Sequence, residues 1–190
     1  MFCGVAMDLH NNPFYWNRKG GEYFRRGDLK NAMMCFRRAV ELDPYFAAAW
    51  NNLGVTYLKL GYFDEAIRCL NRALDLKPNY SEWWKSLGDA YYHNGNFREA
   101  IRCYRKAVDI YSNFPQAWNN MGLAYHDSGD LDEAIKCYKK AIDLDPNITA
   151  AWYNLGLAYY EKGFVEDAKK CLMEACRQGY QKACEEYEKI

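Results

Sequence analysis

The chain has 190 residues, half of them hydrophobic and 17% aromatic, which is ample material for a continuous core. Its 25 Lys and Arg balance 25 Asp and Glu, so neither nucleic acid nor an anionic membrane is expected as its main partner. No apolar run reaches transmembrane length and no basic region followed by a long apolar stretch opens the chain, so direct membrane insertion is not expected and the protein reads as cytoplasmic.

Tryptophans at 16, 50, 84, 118 and 152 recur every 34 residues, and other columns recur with them. Such a period implies stacked copies of one supersecondary unit, each burying its apolar face against a neighbour. Residues 1–12 precede the first unit. Ala6 to Asn12 matches the end of a later unit, Ala141 to Asn147, with one residue deleted. The segment reads either as the remnant of an earlier half-repeat capping the first unit or as a free tail.

Units are expected at 13–46, 47–80, 81–114, 115–148 and 149–182. In the second unit Trp50, Leu53, Gly54 and Tyr57 fall at i, i+3, i+4 and i+7, one face of a helix. Gly54 lowers helix propensity, so its recurrence (Gly20, Gly88, Gly122, Gly156) implies a close approach by another helix. Gly61 ends that helix, Asp64 and Glu65 place acids in the first turn of a second one, and Ala66, Leu70 and Ala73 form its buried stripe. Pro44, Pro78 and Pro146 break the chain between units; the third unit has Ser112 there, with Pro115 three residues later at an N1 position. After the fifth unit, residues 183–190 are expected to form a capping helix that begins near 181, following a stop at Gly179.

Five of the eight cysteines (35, 69, 103, 137, 171) form their own column. Equivalent positions of stacked hairpins lie on the order of 10 Å apart, beyond the roughly 7 Å Cα limit for a disulfide. With no C-x-x-C pair, the spacing argues against both disulfides and zinc, and free thiols fit a reducing compartment. No glycine-rich phosphate loop is present. No cofactor and no enzyme activity are expected. The rival reading is a metal or acid–base site around His93 and His126.

The segment WNNLGVTYLKLGYFDEAIRCLNRALDLKP closely resembles the tetratricopeptide repeat (TPR) pattern, and the resemblance extends from Pro13 to about Lys182. It implies an all-α, right-handed α-solenoid of antiparallel helix-turn-helix hairpins. It also implies a non-catalytic scaffold whose first helices line a concave groove that takes a peptide segment of a partner protein. Mapped by repeat position, the groove would hold Arg18 and Arg25 from the first unit, and Asn51, Asn52, Val55 and Lys59 from the second. The third contributes Lys85, Asp89 and Tyr92, and the fourth Asn119, Asn120, Leu123 and His126. The fifth adds Tyr153, Asn154 and Leu157. The set is basic toward the first unit and acidic toward the last.

Asn52, Asn120 and Asn154 share one repeat position and resemble the asparagine ladder with which some TPR proteins pair peptide backbone, interrupted at Arg18 and Ser86. The two-carboxylate clamp of TPR cochaperones is not matched. Lys85 and Asn120 are in place, but Asp89, Ala150 and Asn154 stand where an asparagine and two cations belong. Basic residues on the second helices, with Glu41, Asp75, Asp109 and Asp143 three or four positions later, read as a solvated face of intrahelical pairs. Self-assembly into a homo-oligomer, through end faces or the N-terminal segment, is the alternative to peptide binding.

Overall fold

The computed structural model describes residues 9–190; the expectation for residues 1–8 lies outside the described residues. A 3-10 turn (Leu9–Asn11) leads into α1 (Pro13–Arg25) and α2 (Leu29–Leu42), then α3 (Ala47–Leu60) and α4 (Phe63–Leu76). Next come α5 (Ser81–His93), α6 (Phe97–Ile110), α7 (Pro115–Asp127), α8 (Leu131–Leu144), α9 (Thr149–Glu161), α10 (Val165–Arg177) and α11 (Gln181–Lys189). No strand occurs among the described residues. The odd-numbered helices α1 to α9 begin at 13, 47, 81, 115 and 149, so the 34-residue period of the sequence is also the period of the backbone.

The helices fall into two compact units, divided within α5 at Ala90 and Tyr91. In the first, α1 packs on α2, α2 on α3 and α3 on α4. In the second, the chain of neighbours runs from α6 through α7, α8, α9 and α10 to α11.

Four hairpins close on a glycine. A Cβ on Gly20 would sit 2.7 Å from the Phe36 ring, on Gly54 2.7 Å from Leu70 Cγ, on Gly122 2.5 Å from the Tyr138 ring and on Gly156 2.8 Å from Leu172 Cγ. These separations leave no room for any side chain, and the partner is always the large residue between two fully buried alanines, such as Ala66 and Ala73 around Leu70. Gly61 has φ +81° and Gly179 φ +92°, the left-handed conformation that ends a helix and sends the chain back along it.

The tryptophans tie each hairpin to the loop that precedes it. The indole Nε1–H of Trp50, Trp84 and Trp152 donates to the carbonyl of Pro44, Pro78 and Pro146 at 2.9, 2.7 and 2.9 Å. Trp16 donates to His10 at 2.9 Å, and Trp118 to Ser112 at 3.4 Å. Proline is replaced at two of these five acceptors, His10 and Ser112, and only the bond to Ser112 is lengthened. The half-buried indole thus packs its ring while its N–H reaches the loop carbonyl, a bond that phenylalanine at this position could not make.

The column cysteines are buried and free. Burial pushes the thiols of Cys69 and Cys171 up to about 11, and those of Cys103 and Cys137 up to about 12. Cys176 and Cys184 correct the sequence expectation: they form a disulfide with Cα atoms 4.8 Å apart. The distance argument applied to equivalent positions of stacked hairpins. These two cysteines instead sit on α10 and α11, which the turn at Gly179 folds against each other.

The basic second-helix face is also corrected in detail. Arg38 pairs with Glu41 as expected, but Arg68, Lys136 and Lys170 pair with the acid three residues earlier (Glu65, Glu133, Asp167). Arg37 and Arg105 donate instead to the hydroxyls of Tyr57 and Tyr125 on the following odd-numbered helices.

Two outcomes test this packing. Gly54→Ala gains about 1 kcal/mol of helix propensity but overpacks against Leu70 and the Ala66 carbonyl, at a cost of about 1–3 kcal/mol. The urea midpoint is therefore expected to fall, whereas Gly21→Ala, with nothing within 4 Å of the added carbon, is expected to raise it. In mass-spectrometric alkylation at pH 8 after mild reduction, Cys176 and Cys184 are expected to label first, the five column thiols only on unfolding.

Candidate functional site

The odd-numbered helices carry the residues expected to bind a ligand, and their side chains obey one register. A residue on one of these helices meets the residue 35 positions later, one repeat plus one place further along. Asn52 Nδ2 donates to Asn17 Oδ1 at 3.0 Å, and Asn154 Nδ2 to Asn119 Oδ1 at 3.1 Å. The Lys59 ammonium lies 5.6 Å from the Phe24 ring centroid. The Tyr92 hydroxyl donates to Asp127 Oδ2 at 2.5 Å, and His126 Nε2 lies 3.1 Å from Glu161 Oε1.

This register sorts the sequence-expected residues. Asn119 is only 6% exposed and Tyr153 only 7%, so neither presents an open surface. Both stand at the repeat position that meets the next helix. Asn119 holds Asn154, while Tyr153 packs with Leu172, Ala175 and Ala183 and lies edge-on to Tyr180, under the start of α11. Lys85 and Asp89 bond each other at 2.8 Å within α5. Asn120 accepts from Asn119 at 3.3 Å. The asparagines of the expected ladder therefore have a structural partner each, because polar groups half-buried between helices must be satisfied there first.

In the first unit the structure brings Arg25, Asn51, Asn52 and Val55 together around a cleft of about 270 Å³ between α1 and α3, completed by Gly21, Phe24 and Phe36. Asn51 Oδ1 is buried and has no hydrogen-bond partner. The cleft thus combines an apolar floor, an unpaired acceptor and the exposed cation Arg25, with Arg18 exposed on the same helix.

In the second unit Leu123 and Leu157 are half-buried and His126 lies between two carboxylates, with Asp127 Oδ1 at 3.4 Å from Nδ1. Burial and the bond to Asp127 push the Tyr92 phenol up to about 12, so it remains a donor throughout the physiological range. His93 is exposed and packs edge-on against Tyr92. Among the described residues no group of three or more His, Cys, Asp or Glu is arranged to hold a metal ion.

Sequence reasoning missed two features of this face. The 35-residue pairs could have been found by comparing complementary residues one place out of register. Tyr138, assigned only to the apolar column, carries a hydroxyl, as Tyr104 does, where Phe36, Leu70 and Leu172 carry none. That hydroxyl is buried without a partner.

Helices in hairpins of fixed length, closed on glycine and repeated every 34 residues, define an all-helical repeat protein. Models of the TPR repeat match residues 20–61 and 122–163, and models of the tetratricopeptide repeat match 45–113, 103–136 and 149–178. The chain belongs to the tetratricopeptide repeat family.

Its fold is that of the TPR solenoids. It is similar to the crystal structure of MamA, 28% identical over 86% of this chain and 96% of that one, with a TM-score of 0.79. It is also similar to YrrB, described as a TPR protein with an unusual peptide-binding site, at 22% identity over 95% and 93% of the two chains and a TM-score of 0.78. PilF of Pseudomonas aeruginosa is 20% identical over 89% of this chain and 77% of that one, with a TM-score of 0.80. At these identities YrrB and PilF show the fold alone. Among curated proteins, none matches the chain in sequence. No helix among the described residues is long and apolar enough to cross a membrane.

The joint role of Asn119 has a measurable consequence. Asn119→Ala leaves the half-buried Asn154 amide without its acceptor and is expected to destabilise the protein by about 1–3 kcal/mol in urea unfolding. In a double-mutant cycle with Asn154→Ala, the two losses should add to less than their sum.

Proposed function

We propose that the chain is a non-catalytic protein-interaction scaffold that takes a peptide segment of a partner on the face formed by its odd-numbered helices. The observation that carries this reading is the cleft between α1 and α3, where the Asn51 carbonyl is buried and unpaired beside an apolar floor. A peptide N–H supplies the donor that this acceptor lacks, whatever side chain follows it, while Phe24 and Val55 accept an apolar residue. Arg18, Arg25 and Lys59 give this part of the face a basic character suited to an acidic residue of the ligand. The repeat units are taken at 13–46, 47–80, 81–114, 115–148 and 149–182, supported by helix starts at the same interval. Membership in the TPR family and the likeness to MamA support the scaffold class.

The ladder reading is narrowed accordingly. Asn52 and Asn154 each donate to a neighbouring asparagine, so one of the two amide N–H groups of each is spent on the joint between helices. A peptide array probed with the intact protein is expected to return sequences combining an acidic and a large apolar residue. Asn51→Leu, which removes the unpaired acceptor and closes the cleft, should weaken the best binder at least about tenfold, the scale of one lost buried hydrogen bond plus steric exclusion. Unchanged affinity in a folded Asn51→Leu variant would place the peptide elsewhere.

A further inference from the structure

We propose that the face of α7 and α9 holds a receptor site for an arginine side chain of the partner segment, formed by Asp127, Glu161 and the hydroxyl of Tyr138. The inference rests on the peptide-binding reading above and adds a second, chemically distinct contact to it. Two carboxylates stand on either side of one imidazole: His126 Nε2 lies 3.1 Å from Glu161 and Nδ1 3.4 Å from Asp127. Among the described residues no lysine or arginine pairs with either acid. A neutral imidazole carries one N–H and cannot donate to both. The Tyr92 hydroxyl occupies one further oxygen, Asp127 Oδ2. With a neutral imidazole between them, the two carboxylates have no cationic partner among the described residues, and an arriving cation would offset their mutual repulsion.

The second, independent observation is Tyr138. Its side chain is completely buried, its ring lies against Gly122 on α7, and its hydroxyl has no hydrogen-bond partner. Burial, followed by the charges of Asp127, Tyr92, Cys137 and Glu161, holds that phenol far above its ordinary range, so it remains protonated beside this cluster. A buried hydroxyl is normally satisfied, and in this column only Tyr104 and Tyr138 carry one, where the other repeats place Phe36, Leu70 and Leu172. The acceptor side of the hydroxyl and the two carboxylates call for a cation with several donors fanned in a plane.

A guanidinium meets that requirement. It carries five N–H groups in a rigid fork, is always charged and loses less hydration than an ammonium on entering a half-buried site. A lysine ammonium is a compact, strongly hydrated point charge and is poorly matched to three acceptors on different helices. A metal ion is not favoured, since no suitable ligand group exists among the described residues.

The test uses the full chain and a blocked Gly-Arg-Gly tripeptide, with lysine and citrulline counterparts, followed by NMR of the His126 ring and the tyrosine rings. The arginine peptide is expected to bind with a dissociation constant on the order of millimolar, as a single charged contact allows. The citrulline peptide should bind at least about tenfold more weakly, and the lysine peptide severalfold more weakly. Glu161→Gln, at a half-exposed position, should abolish the response. Tyr138→Phe removes a hydroxyl that bonds nothing in the free protein, so it should fold normally and still weaken arginine binding about three- to tenfold.

Equal responses to arginine and citrulline, or to arginine and lysine, overturn the proposal, as does arginine binding that Tyr138→Phe leaves unchanged. An array binder sensitive to Asn51→Leu, together with a silent arginine probe, defeats this site while leaving the peptide-binding reading intact. The opposite pattern defeats the α1–α3 cleft alone.

Discussion

Four hairpins share one contact: a glycine backbone on the odd-numbered helix lying directly against a large side chain sixteen residues later. Phe36, Leu70, Tyr138 and Leu172 fill that place, each flanked by alanines with no exposed surface. A separate, local bond from each tryptophan to the carbonyl six residues earlier ties the start of the hairpin to the loop before it. A side chain at the glycine would push the helices apart, and the displacement would pass to every later hairpin, because each unit is positioned only by its neighbours.

The same regularity decides which polar residues remain available for recognition. Since successive odd-numbered helices meet one repeat plus one place apart, several polar positions on their shared face are consumed in joining one helix to the next. Asn17, Asn119 and Tyr153 belong to the joints. What is left has a different character in each compact unit. Residues 9–90 offer a cleft with an unpaired acceptor and exposed cations. Residues 91–190 offer two carboxylates, an imidazole and an orphaned tyrosine hydroxyl. On the proposed reading, such a face would recognise a ligand by chemical contrast at a few points, while the joints between helices set its shape.

The C-terminal helix shows how an ordinary sequence signal can conceal a tertiary one. Gly179 and the acidic residues after it announce a turn and a polar helix, which is what forms. That α11 covers Tyr153 and is held to α10 by Cys176 and Cys184 depends on how the turn aims the helix. Once that pairing exists, the cysteine count no longer argues for a reducing compartment.

The 34-residue period determined the helices, their starts and the buried columns without reference to any structure, because each column answers a local need repeated five times. Small residues mark close packing, left-handed glycines end helices, and an indole seeks an acceptor six residues back in the preceding loop. The sequence equally placed Arg25, Asn51, Asn52 and Val55 on one face. Tertiary structure alone decided which of the face's polar groups are spent on neighbouring helices and which stay open. That division is set by contacts between repeats, at an offset of one residue that no single column displays. For the same reason the buried hydroxyl of Tyr138 could be read only once its surroundings were known: whether a polar atom is satisfied is a property of what lies around it.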